Sequence, residues 1–148
     1  MKKLSILLFV ALMQVSGISS AQEITLEKYL LTFDYEARKD MKINSTELVA
    51  LLKEGKAQLV DIRFEEEFMV WNMPFAISIP LPDLPNNLHK LDREKIIVTA
   101  CPARDRAIIA MTYLKTQGYT VKYLTDGLIG LAGVLRGDNA REFIEAQD

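Results

Sequence analysis

The chain of 148 residues has one cysteine and one histidine. A lone Cys excludes an intrachain disulfide. Together with a lone His, it argues against the Cys- and His-rich ligand sets of zinc or di-iron centres, so neither a metal nor another cofactor is expected. Positive charge is not in excess either: 18 Lys+Arg stand against 20 Asp+Glu, a formal charge of −2. No nucleic-acid partner is therefore expected, since that needs a basic stripe or patch. Internal repeats and low-complexity linkers are missing. What is present is ordinary for a globular protein: 49% hydrophobic and 26% charged residues, too apolar for a disordered chain. The length suits about one domain.

The apolar run from Leu4 to Val15 is also short, about twelve residues where a membrane-spanning helix needs roughly 20. It follows the positive Met1-Lys2-Lys3 and precedes the small residues Ser19-Ser20-Ala21. This pattern reads as a signal peptide over residues 1–21, cleaved between Ala21 and Gln22, the alternative being an uncleaved anchor. No Cys follows the cleavage point, so lipid attachment there is excluded. The expectation is an exported, periplasmic protein with no membrane association after cleavage. An odd Cys in an oxidising compartment is reactive, paired between chains, or buried, which makes Cys101 the residue to examine first.

Residues 24–39 place Leu26, Tyr29, Leu30, Phe33 and Ala37 at helical spacings, predicting one amphipathic helix. Its apolar face needs cover from its own domain or from a second copy, so a homodimer is a possible partner arrangement. Ser45 is the expected cap of a helix over Glu47–Lys53, which Gly55 closes. Gln58–Ile62 reads as a buried strand ending in a carboxylate, followed by a charged helical turn over Glu65–Trp71. Pro74 precedes a short strand, Ala76–Ile79. Pro80–Pro85 forms a turn and Leu84–Leu91 a short helix. Lys95–Ala100 is the clearest strand, β-branched and running into Cys101. Arg106–Gln117 is helical and ends at Gly118. Tyr119–Leu124 is a strand, Gly127–Leu135 a glycine-broken helix and Asn139–Ala146 a terminal helix. Alternating strands and helices define an α/β domain with a mainly parallel sheet.

Ligands of open parallel sheets bind beyond the carboxyl ends of the strands, where Cys101 lies. The tight loop Pro102-Ala103-Arg104-Asp105 can turn backbone N–H groups inward, and the following helix adds partial positive charge at its start. Both effects, with Arg104 and Arg106 adding to them, stabilise a thiolate and an anionic ligand. The bland alternative is an inert buried Cys.

Cys101–Arg106 resembles the active-site loop of rhodanese-like sulfurtransferases, with four residues between Cys and Arg. Leu59-Val60-Asp61-Ile62-Arg63 followed by Glu66-Glu67-Phe68 is similar to the family's early acidic signature. Pro74, Ala76 and Ile79-Pro80 fit the next segment, and Gly118-Tyr119, Val121–Leu124 and Gly127 the last. The resemblance covers about residues 45–135. It implies a rhodanese-like domain over residues 43–148, with helices on both faces of the sheet, after a helical extension over residues 22–42. It also implies sulfur transfer. Cys101 would attack the outer sulfur of a small anionic donor such as thiosulfate or polysulfide, and a thiol, cyanide or protein acceptor would then take sulfur from the persulfide. Pro102, Ala103, Arg104, Asp105 and Arg106 would form the substrate-binding loop. The related phosphatases use a loop one residue longer, and a second Cys to resolve an arsenate-reduction intermediate is missing.

The chain departs from the family pattern at Pro102, which lacks an N–H, at Asp126-Gly127 in place of a Gly pair, at Leu131 in place of an aromatic, and at Trp71-Asn72 in place of Gly-His. These departures support an alternative reading, a binding module that keeps the fold and has little or no activity. Asp61 and Arg63 read as structural, Asp61 bonding loop amides near the site and Arg63 pairing with Glu65–Glu67. The three glutamates read as a solvated helical face and His89 as a surface residue. Met41, Met69, Met73 and Met111 read as core or edge filling.

Overall fold

The computed structural model describes residues 23–147, so the signal segment read over residues 1–21 lies outside the described residues. Five strands make one parallel sheet, ordered β1-β5-β4-β2-β3. They are β1 (Lys42–Ile43), β2 (Ala57–Asp61), β3 (Ile77–Ser78), β4 (Ile96–Ala100) and β5 (Val121–Leu124). The helices are α1 (Leu26–Leu31), α2 (Tyr35–Asp40), α3 (Ser45–Lys53), α4 (Glu65–Val70), α5 (Asp105–Thr116), α6 (Gly127–Val134) and α7 (Asp138–Glu145). Two short 3₁₀ helices, Leu81–Asn86 and Leu88–Lys90, fill the proline-rich stretch. His89 is exposed on the second of them.

The sheet is buried on both faces, which explains why its central strands read as unbroken apolar runs rather than as alternating ones. Successive side chains still point to opposite faces. Val60, Ile97 and Tyr123 pack on one side with Ala107, Ala110, Met111 and Leu114 of α5. Leu59, Val98 and Leu124 pack on the other with Leu48 of α3 and Leu128 and Leu131 of α6. The architecture is the predicted α/β sheet flanked on both faces. Because β2 leads to β3 on one side and β4 leads to β5 on the other, the adjacent ends of β2 and β4 form the switch point where open α/β sheets bind ligands.

Several local expectations are corrected. The helix predicted over residues 24–39 is two six-residue helices. It breaks because Asp34 caps the second, its Oδ1 accepting from the Ala37 N–H at 2.8 Å. Tyr29 is buried, and the Ile24 N–H donates to the Thr116 carbonyl at 2.9 Å, but Leu26, Leu30, Leu31 and Phe33 remain exposed. Asn44, not Ser45, caps α3: its Oδ1 accepts from the Glu47 N–H at 2.9 Å, and Glu47 returns the bond to the Asn44 N–H at 3.1 Å. Strand β1, unread in the sequence, spans the expected boundary between extension and domain. The region 84–91 makes only 3₁₀ turns, since Pro85 has no N–H to continue a helix. Helix α6 runs unbroken through its glycines. Met73 and Met111 are buried, whereas Met69 is exposed.

At the end of β2, Asp61 and Arg63 form a closed pair, 0% and 1% exposed. The Arg63 guanidinium donates to Asp61 through Nε at 2.9 and 3.0 Å and through a terminal nitrogen at 2.6 Å, and the Arg63 N–H adds a further bond at 3.1 Å. Its remaining donors reach the carbonyls of Glu67 (3.3 Å) and Trp71 (2.7 Å), and its plane lies 4.2 Å from the centre of the Trp71 ring. Their partners differ from those expected. Asp61 accepts one amide, the Arg63 N–H, but bonds chiefly the Arg63 guanidinium, and Arg63 bonds Asp61 and two carbonyls rather than glutamate side chains, because a carboxylate without solvent needs a countercharge within reach.

Removing one member of such a pair leaves the other buried and uncompensated. Arg63→Ala is predicted to cost about 3–5 kcal/mol. The measurement is urea unfolding, in which the midpoint falls while the slope is kept; an unmoved midpoint contradicts the assignment.

Candidate functional site

Cys101 follows β4 directly, beside the end of β2 and under the loop that leads into α5. The chain reverses tightly here because α6 begins against it. The Leu128 N–H donates to the Cys101 carbonyl at 2.9 Å. Gly127, at φ +64°, lies so close that a Cβ would stand 2.3 Å from the Pro102 carbonyl oxygen and 2.4 Å from that of Ala103. Only glycine permits both that backbone angle and that approach. The neighbouring Asp126 uses its carboxylate elsewhere, accepting the Ser45 N–H at the start of α3 at 3.1 Å.

The backbone N–H groups of Ala107, Ala103 and Arg106 face the sulfur and favour its anionic form. Pro102, the residue without an N–H, is not among these donors. Two effects oppose them. Cys101 has 0% exposure, and burial is the largest influence on its thiol, pushing it up from the ordinary value. The Asp105 carboxylate pushes the same way, accepting a hydrogen bond from Cys101 Sγ to Oδ1 at 3.6 Å. The balance lies with the thiol, so the depressed value expected from the loop and its arginines is corrected. The sequence places two arginines near the cysteine but does not reveal that a carboxylate faces the sulfur while one arginine is already paired.

That arginine is Arg106. Its two terminal nitrogens donate to Glu67 Oε2 at 2.6 Å and Oε1 at 2.9 Å, and its guanidinium carbon lies 5.7 Å from the Phe64 ring centre. Glu67 also accepts from the Phe64 N–H at 3.2 Å. Hydrogen bonding to Arg106, with help from that N–H, brings its pKa down to about 2. Arg106 is raised in return, chiefly by Glu67 and further by Cys101 and Asp105. Ala103, Arg104 and Asp105 are exposed on the loop, and Pro102 is half-buried. Glu67 is therefore the site residue that the sequence reading missed. Three consecutive glutamates look like a solvated face, and the available signal was the place of Glu67 in the acidic segment that resembles the family signature.

Two predictions follow from this geometry. Gly127→Ala forces a Cβ against loop carbonyls at an angle L-residues avoid, so it is predicted to displace the Cys101 loop at a cost of roughly 1–3 kcal/mol; an unchanged melting temperature and an unchanged rate of Cys101 alkylation together contradict this. Second, a carboxylate whose folded pKa is depressed supports the folded state above its unfolded value and loses that support as pH falls. The stability difference between the wild type and Glu67→Gln should hold above the ordinary value of 4.5 and shrink as pH falls from there toward about 2. Thermal unfolding of both proteins across that range measures it, and a difference independent of pH removes the pair's contribution.

Comparison with known proteins agrees with this arrangement. The pattern of the rhodanese-like domain matches residues 44–132. The Bacillus subtilis protein named "Putative sulfurtransferase YtwF" is 27% identical over 103 residues, covering 67% of this chain and all of that protein. The Mycobacterium tuberculosis HTH-type transcriptional regulator Rv0324 is 32% identical over 89 residues, 59% of this chain and 39% of the regulator. Among solved structures, the human single-domain sulfurtransferase TSTD1 aligns with a TM-score of 0.57 at 22% identity, over 63% of this chain and 96% of that one, and so shares the fold. With a match running from the start of α3 through the Cys101 loop into α6, the chain belongs to the rhodanese-like domain family.

Proposed function

We propose that this protein is a sulfurtransferase or sulfane-sulfur carrier working through a persulfide on Cys101. The observation that carries the reading is the place of the Cys101 sulfur at the carboxyl end of the central strand, where backbone hydrogen bonding from Ala107, Ala103 and Arg106 favours its anionic form. Those amides favour negative charge on sulfur, which is present when Cys101 has given up its proton to attack and again on the outer sulfur of a persulfide anion. Sγ attacks the outer sulfur of a donor, thiosulfate or polysulfide, and the bond from that sulfur to the rest of the donor breaks. Sulfite or a shortened polysulfide leaves. A thiol, cyanide or protein acceptor then attacks the terminal sulfur and restores Cys101. Arg106 orients an anionic donor by exchanging Glu67 for it. The donor enters from the side of the exposed loop residues 103–105. The signal-like segment over residues 1–21 supports an exported, periplasmic setting for this chemistry.

A second reading is a weak or inactive binding module. It is favoured by a sulfur without exposure, held as a thiol against a carboxylate. One experiment separates the two. Incubated with thiosulfate or polysulfide, the protein is predicted to gain about 32 Da per sulfur at Cys101, and Cys101→Ser to gain none. Intact mass spectrometry followed by peptide mapping reads the result. No gain from either donor supports the binding module instead.

A further inference from the structure

Two of the three arginines at the mouth of the site are held by carboxylates, while Arg104, exposed on the loop beside Asp105, makes no ion pair among the described residues. Arg63 is closed on Asp61. Arg106 is held at both terminal nitrogens by Glu67 of α4. The charged groups nearest the sulfur are Asp105 and Arg106 of α5, and the one in hydrogen-bond contact with it is the Asp105 carboxylate, 3.6 Å from Sγ. Toward α4, the exposed Phe64 ring lies beside Arg106.

We propose that Asp105 is the specificity-determining residue of this site, carrying the thiol proton and favouring a persulfide of low charge, R–S–SH, over a dianionic donor such as thiosulfate. The inference rests on the sulfur-transfer reading above and narrows its donor class. In the step, a bond forms between Sγ and the outer sulfur of R–S–SH while the donor's S–S bond breaks. The Sγ proton passes to the Asp105 carboxylate and on to the leaving thiolate. The products are Cys101–S–SH and R–SH, with no redox co-reactant and no net change in charge. A thiosulfate dianion must approach the carboxylate and then release doubly charged sulfite beside it. Asp105 is exposed and solvent screens part of the repulsion, but like charges this close beside a buried sulfur still repel. The Arg106 guanidinium counters that repulsion only by leaving Glu67, and Arg104, exposed on the loop, counters it through solvent that screens its charge.

Cysteine persulfide and thiosulfate are the probes, offered at equal concentration near neutral pH to the full chain and to Asp105→Asn, with Cys101 loading followed by intact mass. The substitution keeps the side chain's size and removes its charge. Wild type is expected to load at least about tenfold faster from cysteine persulfide. In Asp105→Asn that preference is expected to shrink about fivefold or more, with slower loading from persulfide and faster loading from thiosulfate. The pH midpoint of Cys101 alkylation by neutral iodoacetamide is expected to move down in the variant, a change that loss of a merely structural contact would not produce. Thiosulfate loading as fast as persulfide in wild type overturns the inference and leaves sulfur transfer standing; this comparison does not depend on how the variant folds. A preference or an alkylation midpoint unmoved in a folded Asp105→Asn overturns it as well. No loading from either donor takes down the sulfur-transfer reading and this inference together.

Discussion

The pair between Asp61 and Arg63 fixes the geometry on which the site depends. Strand β2 ends in a carboxylate without solvent, and Arg63, two residues on, neutralises it. The same guanidinium then has donors left for the carbonyls of Glu67 and Trp71, in and just after α4. Helix α4 has six residues and buries none of them, so neither its length nor an apolar face would hold it in place. Arg63 does so from inside. Glu67 thereby stands opposite Arg106, and the loop-end arginine takes one defined direction. An interior ion pair is weak evidence of net stability. Its consequence here is positional, transmitted from β2 through α4 to the far end of the cysteine loop.

The sulfur lies between opposing influences of comparable reach. Three amides favour the anion, while lost hydration and a facing carboxylate favour the thiol. A resting thiol is a weaker nucleophile and also a poorer target for oxidants than an exposed thiolate. The amides are not wasted in such a site. They are fixed in place by the loop and need no rearrangement when charge forms on sulfur during transfer. Their stabilisation is available whenever Cys101 gives up its proton.

Much of the fold was legible because its strands are buried on both faces and leave continuous β-branched runs such as Ile96–Val98. The carboxyl-end position of Cys101 followed from the order of elements alone. Strand β1 was not legible, since two residues have no periodicity and their pairing exists only because β5 offers an edge. The break between α1 and α2 turned on one Asp competing for the backbone N–H of Ala37, a local contest that apolar spacing does not register. At the site, residue types were readable and directions were not. Asp105 and Arg106 are adjacent in sequence, yet one faces the sulfur and the other reaches to α4; burial of the sulfur raises the thiol most, and Asp105 adds to it.

The departures from the family pattern acquire physical meaning once the atoms in use are identified. Of the pair Asp126-Gly127, the close approach to the Pro102 and Ala103 carbonyls falls on Gly127 alone, leaving Asp126 free to carry a side chain. That side chain caps the start of α3, which a second glycine could not do. Pro102 supplies no N–H, and the backbone groups that favour charge on the sulfur belong to Ala107, Ala103 and Arg106. Trp71 contributes a carbonyl, which any residue could offer, and adds a ring against the Arg63 guanidinium. A substitution disturbs such a site only where the family's contact runs through the side chain or the amide that was changed. In this chain, Asp126 acts through its carboxylate on α3 and Trp71 through its carbonyl and ring on Arg63, while Gly127 alone makes the close approach to the loop.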